Sequence, residues 1–145
     1  MHILVAVDRS TESQNALVSA FDVVGAFDGT VTAVHVVNGS DRSQSAAGST
    51  DATASDRGKD VLEDAAERAA NRDISIETVI LEGDPVESIA EYAESHDVDV
   101  VYVGHRGLSR GGNDVSAESR GPLGSVAKGL VERTRVPVTV FDRSL

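Results

Sequence analysis

Val98-Asp-Val-Val-Tyr-Val-Gly104-His-Arg-Gly107 and, beyond a polar tract, Leu123-Gly124-Ser125-Val-Ala-Lys-Gly-Leu130 form the stretch whose reading decides the fold. The apolar run Val98 to Val103 has strand length and breaks at a glycine pair. A second glycine, followed by serine, opens a helical pattern whose inner face is Val126, Ala127, Leu130 and Val131. An almost wholly apolar strand suits the middle of a parallel sheet covered on both faces. Glycines let main-chain N–H groups come close to a ligand, and the free amides and dipole of a helix start favour negative charge. The stretch therefore has the layout of a backbone-lined anion pocket, with phosphate the obvious occupant. The plainer alternative is that Gly104 and Gly107 only make a turn.

Working outward, the same alternation of strand and helix runs through the chain. Residues 3 to 7 are continuously apolar, a buried strand that Asp8 ends. Ser10 or Thr11 can cap the next helix, whose apolar stripe is Ala16, Leu17, Ala20, Phe21 and Val24. Asp28-Gly29 turns the chain into a second strand, Thr30 to Val37. Residues 38–56 are mostly Ser, Asp, Ala, Thr and Gly and predict a mobile loop. A helix is expected from about Arg57 to Asn71, with Val61, Leu62, Ala65, Ala66 and Ala69 inward, and a half-buried strand near a sheet edge from Ile74 to Leu81. Gly83-Asp84-Pro85 starts another helix, with Asp84 at the N-cap, Pro85 at N1 and Glu87 at N3. Arg135 to Phe141 reads as a fifth strand, with Pro137 tolerable at an edge or a strand start. The sum is an α/β protein with an open five-stranded parallel sheet and helices on both faces.

Totals bound the function. At 145 residues the chain fits one domain. Cysteine is absent, which removes disulfides, thiolate metal sites and cysteine nucleophiles. No run reaches transmembrane length and no signal segment opens the chain, so a cytoplasmic protein is expected. The formal net charge is -11, from 24 acids against 13 bases, and Lys59 and Lys128 are the only lysines. Such a balance argues against a nucleic-acid surface, which needs a basic footprint. It also resembles the surfaces of proteins from salt-loving cytoplasms, where counter-ions screen self-repulsion. Against this background, Arg106, Arg110, Arg120 and Lys128 outnumber Asp114 and Glu118 between 104 and 128, a local excess of positive charge beside the glycines.

Gly104-x-x-Gly107 with the later Gly124-Ser125, the opening Ile3-Leu-Val-Ala-Val7-Asp8-Arg-Ser10 and the strand end Val34-His35-Val36-Val37 together resemble the universal stress protein family. Its ATP-binding signature is G-x-x-G-x9-G-[ST]; here Leu108 to Leu123, sixteen residues, stand where the pattern has nine. The resemblance implies an adenine nucleotide α-hydrolase-like, Rossmann-like sheet of strand order 3-2-1-4-5, which puts Asp8 and Gly104 at the switch point. It implies ATP as the ligand. Gly104 and Gly107 would approach ribose and phosphates, and Gly124 N–H with the Ser125 N–H and hydroxyl would hold the phosphate chain. Val126, the apolar residue after that pair, belongs to the same set. Asp8 would contact the adenine or ribose side, although it could equally cap the following turn. Val36 would read the adenine edge with its main chain; without the family it is only a buried valine. A homodimer through Val136 to Phe141 is implied as well.

The sequence offers little for turnover. The Gly-Lys-[Ser/Thr] of a P-loop is missing, and no carboxylate sits beside Gly124-Ser125 to orient a water. His2, His35, His96 and His105 lack metal-ligand spacing, no nucleophile elbow is present, and His35 is expected to be structural. The expectation is a regulatory stress-response module that binds ATP without being an enzyme. A Mg²⁺ ion travelling with the nucleotide would be held mostly by phosphates and water. The rivals are a dimeric interaction protein of the same fold that binds no nucleotide, and a slow ATP hydrolase. The tract 108–120 is either a lid over the phosphates or an inert insertion.

Overall fold

Continuous apolar runs need cover on both faces, and the chain supplies it by alternating strands with amphipathic helices. The computed structural model describes residues 1–37, 54–105 and 124–142. In chain order the elements are β1 (His2–Ala6), α1 (Thr11–Phe27), β2 (Thr30–Val37), α2 (Ala54–Ala70), β3 (Ile76–Glu82), α3 (Pro85–Ser95), β4 (Val100–Gly104), α4 (Ser125–Arg133) and β5 (Val138–Phe141). All pairings are parallel and the sheet order is β3-β2-β1-β4-β5, as expected. The expected loops 38–56 and 108–120, and Gly107, lie outside the described residues, apart from the start of α2.

Side-chain alternation divides the core in two. Ile3, Val5, Val7, Val31 and Ala33 face α1 and α2, whose Leu17, Phe21, Leu62 and Ala65 complete that layer. Leu4, Ala6, Val34, Val101 and Val103 face α3 and α4, against Ile89, Ala90, Ala127 and Leu130. Each fully buried Leu, Ile or Phe stabilises the fold by about 1.5–3 kcal/mol relative to exposure. Local signals hold too: Ser10 caps α1 by accepting from Ser13 N–H, and Asp84 caps α3 by accepting from Glu87 N–H with Pro85 in the first turn. β3 lies at one edge of the sheet, as its pattern predicted, and is half-buried on both faces, with Ile76 and Ile80 against the α1–α2 layer and Val79 and Leu81 against the α3–α4 layer.

Two expectations fail. Val131, read as inward, is 51% exposed, because α4 lies at the end of the layer with neighbours on one side. The last strand starts at Val138 rather than Arg135. The preceding amides are spent elsewhere: Arg135 N–H donates to Glu94 Oε2 at 3.1 Å and Val136 N–H to Thr134 Oγ1 at 3.1 Å, while Pro137 has no N–H to give. Thr134 Oγ1 also donates to Glu94 Oε2 at 3.0 Å. Glu94 thus clasps the approach to β5, and the Arg135 amide, then the Thr134 hydroxyl, hold its carboxyl below its ordinary pKa. A carboxyl with a depressed folded pKa adds stability above its unfolded pKa of about 4.3 and loses it as pH falls through the folded value. Glu94→Gln is therefore expected to melt below the wild type at neutral pH, with the gap closing as the buffer is acidified through and below that range. A gap independent of pH would show that the charge of Glu94 is irrelevant.

Gly58 sits inside α2, where glycine costs about 1 kcal/mol relative to alanine. The reason is the strand beneath: a Cβ there would stand 2.6 Å from His35 Cδ2. Gly58→Ala is expected to destabilise the protein, yet to stabilise it by about 1 kcal/mol once His35 has been changed to alanine. Urea unfolding of the two single variants and the double variant reads this coupling; additive effects would mean that the ring has room to move.

Candidate functional site

A parallel sheet with this order has its crevice where neighbouring connections leave in opposite directions, here beyond the ends of β1 and β4. Asp8 stands at that mouth, half-buried. Its Oδ1 accepts from Ser10 N–H at 2.8 Å and from the Ser10 hydroxyl. Ser13 Oγ accepts from Asp8 N–H and donates to Asp8 O, both at 3.0 Å, and Gln14 Nε2 donates to the same carbonyl at 2.9 Å. Asp8 is therefore a turn cap in fact, with its backbone pinned by the first turn of α1. Among the described residues its Oδ2 makes no hydrogen bond and stays available as an acceptor. Gln14 Oε1 is buried without a partner there. Neither Ser13 nor Gln14 was singled out from the sequence; a serine three residues past the N-cap was the signal for the first, and nothing marked the second.

Gly104 ends β4, next to the same turn of α1. A Cβ on it would meet Glu12 Cβ at 2.7 Å and Ser13 N at 3.1 Å, so this glycine is required by close packing against α1 whatever else it does. Just past it, His105 N–H donates to Phe141 O at 2.6 Å, and Gly124 N–H donates to His105 O at 2.8 Å. The start of α4 is thus tied to the residue that follows β4. The second bond also corrects one assignment: the Gly124 amide is already spent and does not serve as a phosphate donor. Beyond it α4 begins with no capping side chain. The amides of its first turn, Ser125 and Val126 among them, are the donors that a helix leaves without intrahelical partners. The Ser125 side chain is exposed, whereas that of Val126 is buried in the core, so Val126 can offer a ligand only its main chain.

Val36 forms the third side. Val34 O accepts from Val7 N–H on the β1 side and Val37 O accepts from Gly83 N–H on the β3 side. Alternation then turns the N–H and C=O of Val36 the same way as those of Val34, beyond the last β1 pair, Ala6 with Val34. An adjacent donor and acceptor facing an open mouth can read the hydrogen-bonding edge of a planar base. His35 Nδ1 bonds Val7 O at 2.9 Å. Of the expected basic cluster, Lys128 is described and exposed, while Arg106, Arg110 and Arg120 lie outside the described residues, as does Gly107. The arrangement offers a base-reading edge, an acceptor carboxylate and an uncapped helix start, a donor set that fits an adenine nucleotide. A groove of about 530 Å³ between the C-terminal ends of α3 and α4, lined in part by Glu94, Arg133 and Arg135, lies at the other end of the sheet. No described helix is long and apolar enough to cross a membrane.

Known proteins share this architecture. A universal stress protein of Methanocaldococcus jannaschii is 29% identical over 145 residues, covering 97% of this chain and 81% of its own. A universal stress protein family member from Arabidopsis thaliana, solved with AMP bound, superposes with a TM-score of 0.69 at 21% identity over 99% of this chain and 92% of its own. The universal stress protein from Archaeoglobus fulgidus in complex with dAMP gives 0.70 at 21% identity, covering 97% of both chains. The model of the universal stress protein family matches residues 1–142. With nearly its whole length matched and the sheet order reproduced, the chain belongs to the universal stress protein family.

Proposed function

We propose that the chain is a single-domain regulatory module that binds ATP at the switch point, with little or no turnover. The observation that supports this is the Gly124 N–H to His105 O bond, which joins the uncapped start of α4 to the end of β4, the neighbour of β1 in the sheet. Asp8 Oδ2 and Val36 take the adenine and ribose side. Gly104 and Gly107 approach the ribose and phosphates, and the Ser125 N–H and hydroxyl with the Val126 N–H take the phosphate chain, a Mg²⁺ being held through phosphates and water. The AMP- and dAMP-bound relatives support an adenine nucleotide as the ligand class.

β5 is an edge strand, which supports pairing with a second copy through Val136 to Phe141. The acidic, lysine-poor composition supports a salt-rich cytoplasm. Calorimetry with ATP, ADP and AMP in high KCl tests the reading: saturable binding of at least one is expected. Absence of binding by all three would leave the dimeric interaction protein, and steady-state phosphate release would make it a hydrolase.

A further inference from the structure

His35 does something at this mouth that packing alone leaves unexplained. In a parallel ladder a residue accepts from one neighbour and donates to the residue two positions back. Val7 N–H donates to Val34 O at 2.9 Å, so the next rung would run from Val36 N–H to Val7 O. That rung is not made. Val7 O is taken instead by His35 Nδ1 at 2.9 Å, and the β1–β2 register stops at Ala6 and Val34. A carbonyl oxygen only accepts, so Nδ1 carries the proton and the ring replaces a main-chain donor. The ring is held there at a cost, since α2 keeps a glycine in its interior where a Cβ would stand 2.6 Å from His35 Cδ2.

We infer that His35 is a positioning residue for the nucleotide: by occupying Val7 O it ends the β1–β2 ladder one rung early and leaves Val36 N–H and C=O open to a base edge. The inference rests on the nucleotide-binding reading of this site and specifies how its base-reading wall is made. An aliphatic residue at 35 would free Val7 O, and the Val36 amide would close onto it. The adenine side would then lose its donor while the phosphate side, built on α4, stayed as it was.

The test combines amide exchange with calorimetry on the full chain. In the ligand-free wild type the Val36 amide should exchange much faster than that of Val34, and His35→Leu should protect it. His35→Leu should weaken ATP by about tenfold, the loss of roughly one hydrogen bond, with inorganic triphosphate affinity unchanged. His35→Asn, whose Nδ2 can donate to the same carbonyl, should restore both. Equal losses for ATP and triphosphate, wild-type ATP affinity in His35→Leu, or a protected Val36 amide in the ligand-free wild type would each overturn the inference. Failure of the wild type to bind any adenine nucleotide would instead overturn the proposed function, while the exchange of Val36 would still decide whether His35 ends the ladder.

Discussion

Gly104→Val should lower stability by about 3 kcal/mol, a fall in melting temperature of roughly 6–12 °C for a domain of this size. The added Cβ would sit 2.7 Å from Glu12 Cβ, 3.1 Å from Ser13 N and 3.2 Å from Glu12 C, and two of those three atoms are backbone. That turn of α1 cannot retreat freely. Ser13 is held by Ser10 Oγ and exchanges two hydrogen bonds with Asp8, so moving it would strip the cap from α1 and unpin the end of β1 together. Thermal unfolding followed by circular dichroism reads the effect, and a melting temperature within a degree of wild type would show that the α1–β4 contact is loose. The requirement is structural before it is functional, since it holds with no ligand present.

Gly124→Val should behave in the opposite way, sparing the fold and removing the ligand. Gly124 has φ −64° and ψ 164°, a backbone region open to valine, so the change brings no backbone strain. The side chain would stand at the start of α4, in the approach to the Ser125 and Val126 amides. Losing two charge-assisted hydrogen bonds costs about 3 kcal/mol or more, at least roughly a hundredfold in ATP affinity. Calorimetry and a melting curve on the same variant separate the two effects. Unchanged affinity would place the phosphates elsewhere; a collapsed melting curve would mean that the Gly124 bond to His105 matters more to folding than this geometry suggests.

The scaffold was legible because its signals are local or periodic. Continuous apolar runs gave the central strands, the alternation around Ile76 to Leu81 gave an edge, and Asp84-Pro85 gave a helix start. Each depends on neighbours within a few residues. The strand order came from the family resemblance and not from periodicity. Val131 and the length of β5 were misread because they depend on what lies across the fold: a layer end in the first case and the Glu94 clasp in the second.

At the site, the motif pointed to the ends of β1, β2 and β4 and the start of α4, but carried nothing about the state of their hydrogen-bonding groups. That the Gly124 amide is engaged, that Gly104 has no room for a side chain, and that His35 occupies Val7 O are facts about partners distant in sequence. A glycine kept free for a ligand and a glycine squeezed by a helix look the same in a single sequence. Only the three-dimensional arrangement separates them.

The pair of bonds that runs from Phe141 O through His105 to Gly124 N has a bearing on how such proteins diversify. It brings His105 and Gly124, the described residues on either side of 106–123, within one hydrogen bond of each other. Closing an interval of sixteen residues instead of nine then costs only about 0.5 kcal/mol, because the entropy of ring closure grows with the logarithm of length. A change of length in that interval therefore costs little as long as the His105–Gly124 stem is kept. The bond at His105 fixes the two ends whatever the number of residues between them.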